Sequence, residues 1–333
     1  MHIRSFWGET FRCMLILVCL LTSAAGSASQ VLTEATFKSL ALGTPMRAYV
    51  KGEASLMQDV QYQLHLPTTG VAPYPAVIVA HGSGGINESL EPWKQFFLKR
   101  GFVVAIPDSY KGRIAGNVLE SQSRLHAYLH IVDVVALSDV LRKDARIAPQ
   151  KIITIGFSRG GVAALHSAFT PFYRPITGQT EPFAAHIAFY PACNYPYMTQ
   201  TFSKAPVLVL MGSKDDFTPS PFCVQALAKN KAAGLNVRWE IHEGGYHSLD
   251  HPSPATFIKN AEITARCSTR HELDLDRWEY RSLDDSTVLT FQEANARQRA
   301  CAGKYFGAWS GSTPGSVDWS YRQVADFLKE IGL

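Results

Sequence analysis

The chain lacks a hydrophobic run long enough to cross a bilayer, a block of like charge, an internal repeat and a low-complexity tract. Each absence removes a class. A membrane-spanning helix needs about 20 predominantly apolar residues, and the run from Met14 to Leu21 falls far short of that. With 32 Lys and Arg against 28 Asp and Glu, the formal net charge of +4 is small for 333 residues. Its even spread leaves neither a nucleic-acid face nor an acidic tail. There is no Cys-x-x-Cys pair and no nearby His spacing to make a zinc site, so no metal is expected. What remains, 46% apolar and 18% charged residues, describes a globular chain with material for a substantial core. This length accommodates one large α/β domain or two small ones.

The N-terminus departs from that average. Arg4 and Arg12 precede the apolar run, and small residues follow it through Ala28. That is the charged, apolar, small-residue order of a secretory signal peptide. We expect a signal peptide at 1–28, a mature chain of 29–333, export to the periplasm or beyond the cell, and no membrane association after cleavage. A retained anchor is the alternative. Cys19 follows Val18 rather than a small residue, which argues against lipid attachment. Cleavage removes Cys13 and Cys19 and leaves Cys193, Cys223, Cys267 and Cys301. An even number in an exported chain suggests two disulfides.

Short apolar runs alternate with longer amphipathic stretches, the βαβ rhythm of a mostly parallel sheet. Strands are expected at 60–66, 76–80, 102–107, 151–155, 184–190, 206–211 and 237–242. Helices fit at 92–100, 124–143, 159–169, 221–233 and 319–331. In the second helix Leu125, Leu129, Val132, Ala136 and Val140 form one apolar stripe. Residues 252–317 break the rhythm, with helical pieces expected near 254–266 and 292–305. We read them as an insertion within a single domain. Cys193 and Cys223 follow strands that should emerge side by side at one sheet edge, so they are expected to pair, leaving Cys267 and Cys301 to close the insertion. Buried reduced thiols are the alternative.

Gly156-Phe157-Ser158-Arg159-Gly160-Gly161 stands between an apolar strand and an apolar helix. G-x-S-x-G in that setting is a nucleophile elbow, a strained strand-to-helix turn that exposes a serine at the sheet edge. The pattern alone is weak, and its partners give it weight. A serine hydroxyl needs a base, and the base needs an orienting acid. Downstream, Gly212-Ser213-Lys214-Asp215-Asp216-Phe217-Thr218-Pro219 closes one strand, and Glu243-Gly244-Gly245-Tyr246-His247 follows the next. Asp215 is the preferred acid on its Gly-x-x-Asp-x-x-x-Pro spacing, with Asp216 as rival. His247, on a glycine-preceded loop, is preferred over His242 and His251. His81-Gly82-Ser83-Gly84-Gly85 follows an earlier strand, and the backbone N–H groups of Ser83 and Arg159 are the candidate oxyanion donors. Plain turn or capping roles are the bland reading of each.

Together these pieces, with Asp108-Ser109-Tyr110, resemble the dienelactone hydrolase family of the α/β-hydrolase fold over roughly residues 55–250 and the closing helix. The namesake enzymes of that family carry a cysteine nucleophile where this chain has Ser158, and they lack a signal peptide and long insertion. The resemblance implies hydrolysis of small-molecule carboxylic esters or lactones, without metal or organic cofactor, by a secreted branch of the family. A serine peptidase of the same fold and a catalytically silent binding protein are the alternatives. Tyr110, Tyr195, Tyr197, Phe217 and Tyr246 could line an acyl pocket or simply pack. The sequence carries no signature of oligomeric state.

Overall fold

Apolar runs without alternation suit strands covered on both faces, and here they form the centre of an eight-stranded sheet. The computed structural model describes residues 32–333 apart from 55, 56, 179 and 268, so the expected signal segment 1–28 lies outside the described residues. In chain order the strands are β1 (Leu32–Leu40), β2 (Met57–His65), β3 (Tyr74–Ala80), β4 (Val103–Pro107), β5 (Ile147–Phe157) and β6 (Ala185–Phe189). β7 (Tyr197–Met198) joins a smaller sheet, while β8 (Val207–Gly212) and β9 (Val237–His242) complete the large one. Its order is β1-β2-β4-β3-β5-β6-β8-β9. The β1–β2 and β2–β4 pairs are antiparallel, and every pair from β4 to β9 is parallel.

The connecting helices are α1 (Met46–Val50), α2 (Glu91–Leu98), α3 (Tyr128–Leu141), α4 (Arg159–His166), α5 (Thr170–Thr177) and α6 (Ser220–Ala232), followed by α7 (Phe291–Arg299) and α8 (Ser316–Glu330). Side chains of a strand point to alternate faces, and β3 shows the result. Ala76, Ile78 and Ala80 pack in one cluster with α3, α4, α5 and α6, while Val77 and Val79 pack in another with α2 and α8. This is the α/β-hydrolase arrangement, a mostly parallel sheet between two helical layers.

Several elements differ from expectation. α3 has no single apolar stripe: all of its residues except Asp139 and Val140 are buried. It packs against the sheet, β1 included, and also against α4 and α5, so more than one of its sides is covered. Its buried Asp133 is matched by the Arg113 guanidinium at 2.6 and 2.9 Å and by the Ser39 hydroxyl at 2.6 Å. Removing one partner from such a buried pair typically costs about 3–5 kcal/mol. The helix expected at 254–266 is instead β10 (Thr256–Glu262), which forms an antiparallel ribbon with β14 (Phe306–Ser310). The helix expected at 292–305 shortens to α7, started by a Thr290–Glu293 capping box. Between them β11 (His271–Asp274), β12 (Glu279–Ser282) and β13 (Val288–Leu289) join β7 in a four-stranded sheet ordered β13-β12-β11-β7.

This extra segment leaves and rejoins the core at one place. The Ala255 N–H donates to the Ser312 carbonyl and the Ser312 N–H to the Ser253 carbonyl, each at 3.0 Å. Disulfides join Cys193 to Cys223 and Cys267 to Cys301. Among the described residues no helix is long and apolar enough to cross a membrane.

Candidate active site

β5 ends at Phe157 and α4 begins at Arg159, so Ser158 alone makes the turn, at φ 55° and ψ −114°. A non-glycine residue there is strained. The approach is so close that a Cβ on Gly156 would overlap the Gly160 carbonyl, and one on Gly160 would overlap that of Ala80. The two glycines of the motif are therefore required by sterics.

The Ser158 Oγ stands 2.9 Å from His247 Nε2, and His247 Nδ1 stands 2.9 Å from Asp215 Oδ2. His247 lies on the loop after β9 and Asp215 on the loop after β8. Asp215 is nearly closed off from solvent, as is His247. Its Oδ1 accepts the Phe217 and Thr218 N–H groups at 2.9 and 2.8 Å. The rivals point elsewhere. Asp216 accepts the Trp309 N–H at 3.0 Å, the His242 ring packs on Trp319, and His251 Nδ1 accepts the Ser253 N–H.

Two residues around the imidazole were not singled out from sequence. The Thr218 hydroxyl lies 2.9 Å from Asp215 Oδ2, 3.1 Å from His247 Nδ1 and 3.0 Å from the Tyr190 carbonyl. Tyr190, at φ 35°, packs its ring 4.6 Å from that of His247, and the Phe217 ring lies 4.7 Å from the same imidazole. Its hydroxyl donates to Asp250, which also accepts from the Trp93 indole. Burial raises the Tyr190 hydroxyl well above its ordinary range and also raises the Asp250 carboxyl. Thr218 does stand inside the acid-loop motif. Tyr190 has no sequence signal beyond ending a strand.

Ser158 opens on a cavity of about 640 Å³ lined by Ser83, Arg159, Tyr195, Tyr197 and Phe217 among others. Tyr110 instead donates to the Gly82 carbonyl beneath the loop after β3, and Tyr246 stacks on Trp309. Arg159 is the first residue of α4, where backbone N–H groups lack a helical acceptor. Its side chain is buried, with Nη1 donating to Gln122 Oε1 at 3.0 Å. Nε and Nη2 find no hydrogen-bond acceptor among the described residues. Burial lowers the guanidinium's pKa, opposed mainly by the nearby Tyr110, Tyr197 and Glu262. The Ser83 hydroxyl donates to the same Gln122 oxygen at 3.0 Å. Gln122 carried no sequence signal at all.

Known proteins place this arrangement. The profile of the Dienelactone hydrolase family matches residues 63–273. "Protein usf" of Aquifex pyrophilus is 24% identical over 187 residues, covering 53% of this chain and 76% of that protein. Among solved structures, a dienelactone hydrolase-like promiscuous phosphotriesterase from metagenomic libraries superposes with a TM-score of 0.51 at 18% identity. It covers 66% of this chain and 85% of its own, a likeness of fold. The profile match takes in the elbow, both loops at the sheet edge and the start of the extra segment, and on it the chain belongs to the dienelactone hydrolase family.

Proposed function

We propose that the protein hydrolyses carboxylic esters or lactones with Ser158 as nucleophile, His247 as general base and Asp215 as the acid that orients the imidazole. The observation that carries this reading is the unbroken hydrogen-bonded chain from Ser158, which lines the cavity, through His247 to Asp215. With the Nδ1 proton donated to Asp215, Nε2 keeps a lone pair facing the serine hydroxyl. His247 takes that proton as Ser158 attacks the carbonyl carbon, and returns it to the leaving alcohol. Water then repeats the sequence on the acyl-enzyme. The N–H groups of Ser83 and Arg159 would hold the negative oxygen of each tetrahedral intermediate. Membership of the family favours an ester or lactone over a peptide.

The two disulfides support export to an oxidising compartment, with residues 1–28 as the cleaved signal and residues 29–333 as one domain carrying an insertion. A fluorophosphonate probe should label Ser158, and Ser158→Ala should abolish both labelling and turnover of a panel of chromogenic esters. A variant keeping more than about a tenth of wild-type turnover would overturn the assignment.

A further inference from the structure

The stretch between β4 and α3 straps the Ser83 loop to the inserted segment. The Val118 N–H donates to the Ser83 carbonyl at 3.1 Å, and the Glu262 N–H of β10 donates to the Leu119 carbonyl at 3.0 Å. Asn260 Nδ2 donates to Glu120 Oε1 at 3.2 Å. Leu119 packs into the small apolar cluster of Phe217, Ala261, Ile263, Ala265 and Ala308. The strap ends at Gln122, whose N–H donates to Glu262 Oε2. Glu262 is 2% exposed, and its Oε1 accepts the Gly303 N–H at 2.7 Å. A buried carboxylate that lost such backbone donors would leave unpaired charge in the interior, so moving it is costly.

The Gln122 side chain carries this fixed point to the site. An amide oxygen has two lone-pair sites, and here Ser83 Oγ and Arg159 Nη1 occupy them, each at 3.0 Å. Ser83 and Arg159 belong to the two segments whose N–H groups would hold the oxyanion. We propose that Gln122 is a positioning residue for the hydrolysis, held by Glu262 of the inserted segment, and that its one oxygen sets the spacing between the two oxyanion loops. This rests on the ester-hydrolase reading above. Donors must lie about 2.7–3.1 Å from the developing oxyanion, and a displacement of about 1 Å can cost about 10² in rate. Because the donors act on the transition state more than on the bound ester, the loss should appear in kcat and not in KM.

The test uses the full chain, p-nitrophenyl butyrate as substrate, and a butylboronic acid that forms a tetrahedral adduct on the nucleophile. Gln122→Met keeps the length of the side chain without its acceptor, and Gln122→Glu keeps the acceptor. Gln122→Met should lose about 10–100-fold in kcat with KM within about threefold, and boronate affinity should fall in parallel with kcat/KM. Gln122→Glu should hold kcat within about threefold of wild type. Glu262→Gln should lower kcat in the same direction, and its effect should be less than additive with that of Gln122→Met. The proposal is overturned if Gln122→Met retains wild-type kcat, if the two Gln122 variants fall alike, or if the loss lies in KM. Should Gln122→Met fail to fold by circular dichroism, Ser83→Ala cuts one of the two ties while keeping the backbone N–H, and an unchanged kcat there is equally fatal. Turnover surviving in Ser158→Ala would instead sink the hydrolase reading itself, so the two failures are distinguishable.

Discussion

Asp215 and Asp216 are neighbours with identical side chains, yet one faces the imidazole and the other the Trp309 N–H. Spacing favours Asp215 in the sequence, but which of two adjacent carboxylates turns inward depends on the loop's backbone, and no composition rule carries that. Asp215→Asn should lower kcat by about 10³–10⁴, because an amide cannot hold the same imidazole tautomer. Asp216→Asn should leave turnover near wild type, and a reversed pair of results would exchange the assignment. The Thr218 hydroxyl touches both the acid and the imidazole: Thr218→Val keeps the side chain's shape but removes the hydroxyl shared by Asp215 and His247. Asp215 still accepts two backbone N–H groups in that variant, so we expect a loss of about tenfold in kcat with the fold intact.

At the scale of elements, the parallel core was legible because its strands are continuous apolar runs bounded by turn residues, a pattern set by burial on both faces. β1 was missed: Leu32–Leu40 carries Glu34, Thr36 and Lys38 and pairs at the sheet edge, where one side stays wet. β10 was misread as helix because its partner β14 lies far along the chain, and pairing over that distance leaves no local trace. α3 reads as amphipathic only if its helix neighbours α4 and α5 are not foreseen. The helix expected at 159–169 is α4, and it stops short of α5, which starts at Thr170 with Pro171 in its first turn. The cysteine bridges belong to this scale as well. Peptide mapping of the unreduced protein should recover Cys193 linked to Cys223 and Cys267 linked to Cys301, and a crossed pair or free thiols would refute it. Each loop is of the size for which the chain-entropy account gives about 3–4 kcal/mol. Removing Cys193 and Cys223 together should therefore lower the melting temperature.

For the whole molecule, acid should be destabilising well before the carboxylates titrate. Burial holds His166 and His271 down to about 4 and His186 to about 3. In an unfolded chain a histidine takes up its proton near about 6.5. Between those values the unfolded chain binds protons that the fold refuses. Stability is thus full above about 6.5 and lost as pH falls toward 4. Asp250, raised by burial, works in the opposite sense, favouring the fold at low pH and losing that contribution as pH rises. At constant ionic strength the melting temperature should drop between about pH 7 and pH 5, and an unchanged value would mean that these imidazoles are not buried neutral.

The crossing of backbone bonds at Ser253, Ala255 and Ser312 has a consequence for how the molecule could change. A segment whose two ends touch is a cassette. It can be excised and replaced by a short turn, or exchanged for a different one, without rethreading β9, the elbow or α8. Core and cassette can then change independently, the core keeping Ser158 and His247 in place while the cassette resets the walls of the cavity. The Glu262–Gln122 tie limits that freedom: on the positioning role proposed for Gln122, a replacement would also have to present an acceptor where Glu262 now stands.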